Sequence, residues 1–485
     1  MSVLKGLQPQ SVFYYFEQIC DIPHGSGNTK AISDYCVEFA RARNLTYIQD
    51  EKNNVTIFKD ASEDSVSKEP VILQGHLDMV CESEDPLFDF TKQGLKLELN
   101  QDIITAKNTT LGGDDGIAVA YALAILDDDT LSHPPLEVVF TVDEEIGMLG
   151  AVDYDASALK GRRMLNIDSE EEGYLLVSCA GGTTVNGRLE LQRQPVRGAG
   201  ITITVEGLLG GHSGVEIDKG RANADVVLGK LLSGLLGVSS YALSEISGGT
   251  KKNAIPKMAT AQIVLPDEDR CENIVSWIHD FEKLQKEKFA TTDPGLCITV
   301  RPEEECSRES FSEADTVRIV GVLSHTPSGV RSMSQDIDGL VETSSNLGIV
   351  KSELNTVDIV TSVRSSVETE KQKLTDQIAA VITDQGGTVK IDGVYPAWEY
   401  KKDSPLRKTM VSTFVEQYGR EPVIQSIHAG VECGLFSEKI PGLDCVSFGP
   451  DMKDIHTTDE SMDVKSVART WEYLLRVLEQ LAKEQ

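Results

Sequence analysis

A histidine and a set of carboxylates stand in this chain close to short apolar runs, and imidazole nitrogen with carboxylate oxygen is a donor set suited to zinc. Val71-Ile-Leu73 leads into Gln74-Gly-His76-Leu-Asp78, and Val138-Val-Phe140 leads toward Asp143-Glu144-Glu145. Met164 to Ile167 ends at Asp168, and Leu111-Gly-Gly-Asp114-Asp115-Gly116 opens a helix-like run. A second imidazole, His456, lies far along the chain. Each has a plain structural explanation when taken alone. A histidine after a strand is commonly just hydrogen-bonded; Asp114 and Asp115 could cap the helix beginning near Ile117; Glu144 and Glu145 could be a solvated pair, and Asp168 could cap a loop. Gathered on one crest, however, several carboxylates repel one another unless cations lie among them. Two histidines and three carboxylates, one of them spanning two ions about 3.5 to 4 Å apart, would make a two-metal hydrolase site.

Such residues converge only if the strands before them are neighbours. From residue 70 to 168, short apolar runs alternate with helix-like segments such as Ile117 to Leu126, a pattern that predicts an α/β unit with buried strands. Open α/β sheets place their sites just beyond the carboxyl ends of the strands. After a glycine-containing joint, Cys179-Ala-Gly-Gly-Thr183, the pattern changes. Strands such as Ile201 to Val205 and Ala261 to Leu265 then interleave with helices near Ala222 to Leu236 and Glu272 to Lys288. That mixture predicts an α+β domain of ferredoxin-like type, in two related halves without a clean sequence repeat. Beyond Gly393-Val-Tyr-Pro396 the earlier style returns, with Val423 to Ile427, Cys445 to Phe448 and a last helix from about Val464 to Leu481. The expected organisation is a catalytic α/β domain, a mixed sheet flanked by helices, in two pieces (residues 1–183 and 396–485). An α+β ferredoxin-like lid domain (184–395) is inserted between them, with the cleft between the two domains.

Composition narrows the class further. The 485 residues carry a formal net charge of −31, which disfavours nucleic acid or an anionic membrane as partner. No apolar run approaches the roughly 20 residues of a membrane span, and the N-terminal residues lack the apolar core of a signal peptide. Nine cysteines, scattered singly without a CxxC pair, fit reduced thiols in the cytoplasm. No Gly-x-Ser-x-Gly elbow points to serine hydrolase chemistry.

Taken together, Gly75-His76-Leu77-Asp78, Leu111-Gly-Gly-Asp114-Asp-Gly116, Glu144-Glu145, Asn166-Ile-Asp168-Ser-Glu-Glu-Glu172, Gly211-His212-Ser-Gly214, Asn253-Ala-Ile-Pro256 and His428-Ala-Gly-Val-Glu432 resemble the aminoacyl-histidine dipeptidases, within the wider group of two-zinc aminoacylases and carboxypeptidases. The resemblance spans nearly the whole chain. It implies one zinc on His76, Asp114 and Asp168 and another on Asp114, Glu145 and His456, with Asp114 bridging. Asp115 stands where many relatives carry Asn, which leaves open which aspartate bridges.

The resemblance further implies that Asp78 supports His76 by accepting its remaining N–H. Glu144 would be the general base, its side chain opposed to that of Glu145 if the chain there is extended. His212 would stabilise the oxyanion, Asn253 and Arg364 would contact substrate, and His428 and Glu432 would shape the pocket and read the peptide ends. The expected reaction is hydrolysis of short unblocked dipeptides, Xaa-His among them, by a water activated by two Zn2+, for which Co2+ or Mn2+ could substitute. Two other functions share the ligand pattern: an N-acyl amino acid deacylase, and a metal-binding protein without catalysis, which would be expected to lack a ligand or the base. A homodimer is an assembly that such an inserted domain can support.

Overall fold

A computed structural model of the chain describes residues 2–266 and 271–484. The chain divides into two compact units: Met1–Ser178 with Tyr400–Ser426 and Val431–Gln485, and Cys179–Glu399 with Ile427–Gly430. Two differences from the expected cuts have local causes. Gly181 and Gly182 belong to the long strand Gly181–Glu190, whose register with its neighbour runs from Gly181↔Ser365 to Glu190↔Thr356. Ile427–Gly430 joins the second unit because Ala180 N donates to Ile427 O at 3.1 Å and the His428 ring bonds Ser344 Oγ at 2.7 Å.

In the first unit, apolar runs too short for helices become the strands of an eight-stranded mixed sheet. Its middle is parallel: Leu136–Thr141, Val71–His76, Arg163–Asn166 and Asp444–Ser447 lie side by side in that order. Leu136–Thr141 and Val71–His76 are buried at every position, as strands covered on both faces must be. Thr46–Gln49 and Val55–Lys59 extend one side antiparallel, where the exposure of the outer strand alternates. The helix Gly113–Asp127 has no polar face, and Ile117 through Leu126 are all buried. Such a helix can only be interior. It packs on Gln10–Cys20 and on strand Val71–His76. The last helix, Val464–Lys483, is amphipathic; Val467, Thr470, Leu474, Val477, Leu478 and Leu481 face inward at helical spacing.

The second unit is built on one nine-stranded sheet whose recorded pairings are all antiparallel. Its order resolves into two copies of one plan. Arg193–Glu206, Ala242–Gly248, Ala259–Leu265 and Cys297–Phe311 are a first, second, third and fourth strand lying in the order fourth, first, third, second, with helices Ala224–Leu236 and Cys271–Lys288 in the connections. Gly181–Glu190, Val341–Ser352, Thr356–Ser365 and Thr388–Tyr395 repeat that order with helices Glu313–His325 and Glu368–Asp384. Both are split β-α-β units of ferredoxin-like type. They meet where Ala242–Gly248 pairs with Val341–Ser352, and the first copy is inserted after the first strand of the second. A single apolar core runs under both. Among the described residues, no helix is long and apolar enough to cross a membrane.

Tyr121, on the buried helix, donates its hydroxyl to Val467 O at 2.8 Å and stacks on Trp471 with ring centroids 5.8 Å apart. It thereby ties the helix that begins at Gly113 to the C-terminal helix. Removing only the hydroxyl, in Tyr121→Phe, should destabilise the first unit by about 1 kcal/mol because one buried hydrogen bond to the Val467 carbonyl is lost. Tyr121→Ala should cost about 3–5 kcal/mol through the cavity it leaves. Calorimetric unfolding of the three proteins measures both, and equal losses would show that the ring contributes nothing beyond its hydroxyl.

Candidate metal centre

Three adjacent parallel strands end within two residues of one another. His76 pairs with Thr141, the last residue of its neighbour, and Gln74 pairs with Asn166, the last residue on the other side. The chain continuing from those ends carries Glu144 and Glu145 on one side of His76 and Asp168 on the other. Asp114 comes from the entrance of the buried helix, where its own φ/ψ of −83°/105° is not yet helical. His456 comes from a loop and holds a left-handed backbone, φ 63°.

These five side chains meet. His76 Nε2 lies 3.1 Å from Asp114 Oδ1 and 3.8 Å from Asp168 Oδ1. His456 Nε2 lies 3.1 Å from Asp114 Oδ2 and 2.9 Å from Glu145 Oε1. The donors form two sets that could each hold a metal ion, His76–Asp114–Asp168 and Asp114–Glu145–His456, with ligand atoms in each set within 4.8 Å of one another. Asp114 belongs to both, with one oxygen toward each imidazole. Asp115 points elsewhere: its Oδ2 accepts the backbone N–H of His76 at 3.1 Å, and the residue is fully buried.

The electrostatics are those of too many acids in too little water. Burial, with Asp115, Asp114 and Glu144 nearby, pushes the Asp168 carboxyl well above its ordinary range. Burial and the carboxylates of Glu432, Glu145 and Asp114 push Glu144 up to about 8. Hydrogen bonds to Asp114 and Glu145 hold the His456 imidazolium up to about 10. A borderline divalent cation suits this nitrogen and oxygen donor set and supplies the positive charge that buried like charges require.

Asp78 is the brace of the site. Its Oδ1 accepts Glu144 N at 3.0 Å, and its Oδ2 accepts Ser26 Oγ at 2.8 Å and Glu145 N at 3.4 Å. The expected contact to His76 is the longer one, 3.5 Å from Oδ1 to Nδ1; the backbone carbonyl of Asp78 is nearer, at 2.9 Å. A carbonyl only accepts, so Nδ1 carries a proton and Nε2 is left facing Asp114 and Asp168. The expectation that Glu144 and Glu145 diverge on extended chain is corrected here. The backbone turns after Glu144, whose carbonyl accepts from Gly147 N at 2.9 Å and Met148 N at 2.7 Å. Strand alternation therefore does not set their directions.

Glu432, expected to read peptide ends, is fully buried in the first unit. Its Oε2 accepts from Gln74 Nε2 at 2.6 Å and Thr141 Oγ1 at 2.7 Å, which ties the strand of His76 to the end of its neighbour. That is a positioning contact within the sheet.

The remaining expected residues stand together in the second unit. His212 lies on a two-residue ladder, Gly211↔Ile255 and His212↔Ala254, with Asn253 exposed beside it. Its Nδ1 accepts from the backbone N–H groups of Gly214 and Val215, both at 3.2 Å. The proton of the neutral ring therefore sits on Nε2, which is free to donate. Burial and the Arg364 charge lower the His212 pKa and keep the ring neutral. Arg364 donates through Nη1 to Tyr395 Oη at 2.8 Å, while its Nε is buried without an acceptor among the described residues. His428, buried and lowered to about 3 by that burial and by Arg364, accepts or donates at Ser344 Oγ, 2.7 Å away. A Cβ on Gly214 would come 3.0 Å from His212 Cε1, 3.2 Å from Arg364 Nε and 2.6 Å from His428 O, so glycine alone fits where these residues converge.

Sequence reasoning missed Ser26, Gln74 and Glu460 at the metal centre. Ser26 and Glu460 are ordinary residue types in loops, far in sequence from their partners, and only folding shows what they touch.

The sequence model of "Peptidase family M20/M25/M40" matches residues 72–480. A cytosol non-specific dipeptidase of Escherichia coli (strain K12) is 34% identical over 485 residues, 99% of this chain and 99% of the relative. The crystal structure of an aminoacylhistidine dipeptidase from Vibrio alginolyticus superposes with a TM-score of 0.92 at 34% identity, covering 99% of each chain. An aminopeptidase PepT from Bacillus cereus, at 14% identity and a TM-score of 0.58 over 98% and 100% of the two chains, shares the fold. A match over most of the length, joined to full-length identity at this level, means that the chain belongs to the peptidase family M20/M25/M40.

Proposed function

We propose that this protein is a cytosolic dipeptidase that hydrolyses unblocked dipeptides, Xaa-His among them, with two divalent cations, zinc in the first instance. The observation that carries the reading is the pair of ligand sets sharing Asp114, in a chain 34% identical across its length to a cytosol dipeptidase. The name of the structural relative, an aminoacylhistidine dipeptidase, supports histidine-containing dipeptides as substrates.

His76, Asp114 and Asp168 would hold one cation, and Asp114, Glu145 and His456 the other. When bound, such ions supply Lewis-acid polarisation of the amide carbonyl and a more acidic attacking water. Glu144 would take the proton from the attacking water and return it to the leaving amine. Asp78 holds the backbone of Glu144 in place. His212, neutral with its proton on Nε2, is the donor to the developing oxyanion. Arg364, with a buried N–H lacking an acceptor, is the donor to the substrate carboxylate, and Asn253 is a further substrate contact.

Glu144→Gln should retain its metal while alanyl-histidine turnover falls by about 10² to 10⁴. Metal content measured beside kcat decides this, and loss of metal together with activity would make Glu144 a ligand instead of the base. Wild type should prefer alanyl-histidine to its N-acetyl derivative; the reverse preference would identify a deacylase.

Metal affinity should rise with pH. Without metal, the carboxylates hold protons on His76 and His456 above the ordinary imidazole range, and those protons must leave for the rings to become ligands. Chelator competition between pH 6 and 8 should give tighter binding at the higher pH, with on the order of one proton released per imidazole engaged. Affinity independent of pH would exclude both imidazoles as ligands.

Arg364→Ala should lower kcat/KM for alanyl-histidine roughly 10- to 100-fold while leaving its C-terminal amide almost unaffected. Equal losses on both substrates would mean that Arg364 does not read the carboxylate.

A further inference from the structure

Glu460 is 2% exposed, and its carboxylate is surrounded by backbone donors from a loop more than three hundred residues earlier. Oε2 accepts Leu111 N at 2.8 Å and Gly112 N at 3.1 Å, and Oε1 accepts Gly113 N at 2.8 Å with Asp114 N at 3.5 Å. Successive N–H groups turned to one point form an anion-binding nest, and here a side chain of the same chain fills it. Gly112 sits at φ 65°, in the left-handed region, which bends the loop so that its N–H groups converge. The same loop delivers Asp114.

Glu460 also belongs to the loop of His456. Its backbone N–H donates to Thr457 O at 3.2 Å, which closes the turn that follows the histidine. One side chain therefore joins the loop bearing the shared carboxylate to the loop bearing an imidazole of the second ligand set. His76 and Asp168, by contrast, are positioned by strand ends in the sheet.

We infer that Glu460 is a positioning residue for the metal centre, which holds Asp114 and His456 in mutual register and sets the affinity of the Asp114–Glu145–His456 site more than that of the His76–Asp114–Asp168 site. The inference rests on the proposed assignment of those two ligand sets. A carboxylate is the side chain the nest selects, since all four hydrogen bonds to its oxygens come from backbone N–H groups. An amide at this position turns an NH2 toward one of those N–H groups and loses an acceptor, without changing size. An aspartate keeps both acceptors but draws them back by one methylene.

The test uses full-length wild type, Glu460→Gln and Glu460→Asp, each stripped with chelator and titrated with Zn2+ by calorimetry and with Co2+ by visible absorption. Wild type should bind two ions. Glu460→Gln should bind the second ion about 10- to 100-fold more weakly, the range for groups that orient metal ligands, and the first with a smaller loss because Asp114 serves both. The absorption of the second Co2+ should change more than that of the first. Free Zn2+ in excess should restore kcat with KM unchanged, and Glu460→Asp should lie between the other two. If Glu460→Gln does not fold, Glu460→Asp carries the comparison.

Two ions bound with wild-type affinities and spectra in the variants would overturn the inference, however far their melting temperatures fall. So would equal weakening of both sites. Failure of wild type itself to bind two ions would instead remove the ligand assignment, and the inference with it.

Discussion

One carboxylate faces two imidazoles, and the arrangement of the first unit follows from holding it there. Asp114 presents Oδ1 to His76 and Oδ2 to His456, each at 3.1 Å. A group shared in this way cannot adjust to one partner without moving from the other, so its backbone must be set by something stiffer than its own side chain. The helix behind it is interior on every face. The loop before it bends through Gly112, where a Cβ would also meet Met79 Sδ at 2.9 Å. The nest in front of it is filled by Glu460. Each of these removes a degree of freedom from a residue that could otherwise relax away from its neighbours.

The sheet does the rest of the positioning. Parallel strands that end within two residues of one another bring His76, the Glu144–Glu145 turn and Asp168 to one edge, and side chains from other loops lock that edge. Asp78 bonds the backbone of both glutamates and the hydroxyl of Ser26, while Glu432 joins Gln74 to Thr141. Acids that act as braces and acids that could hold a metal ion thus lie within one small volume. Burial, and after it their mutual repulsion, raises Glu144 and Asp168, and cations among them would relieve that repulsion. The second unit, taken by itself, holds a neutral histidine of defined tautomer and an arginine whose buried Nε has no acceptor among the described residues.

Much of this was legible in the residues because ligands come attached to short local patterns. The strand-then-acid segments at 71–78, 138–145 and 164–168, and the Gly-Gly-Asp entrance to an apolar helix, each span about a dozen residues or fewer. Their placement on strands and at a helix entrance needs only local rules of periodicity and capping. The ferredoxin-like order of the second unit was likewise expected from interleaved strands and helices, although its nesting, one copy inside the other, leaves no tandem repeat to read. Less legible was anything that depends on a backbone turn or on burial. Glu144 and Glu145 were expected on extended chain and lie at a turn. Glu432 was expected at the substrate and is enclosed among strands. The Asp78 carboxylate was expected chiefly at the His76 ring and has its shortest bonds to Ser26 and to the backbone of Glu144.

The sequence by itself determined the donor types, the strands that carry most of them and the apolar helix that must lie inside, because hydrophobic period and residue chemistry are local properties of the chain. Only the tertiary structure decided which acid is shared, which is buried as a brace, and which distant loop supplies the anion that a nest of backbone N–H groups requires. Those outcomes depend on which groups end up within about 3 Å of one another. For Asp114 with His456, and for Glu460 with the loop at 111–113, that distance is crossed between residues more than three hundred positions apart, where no periodicity or spacing carries the information.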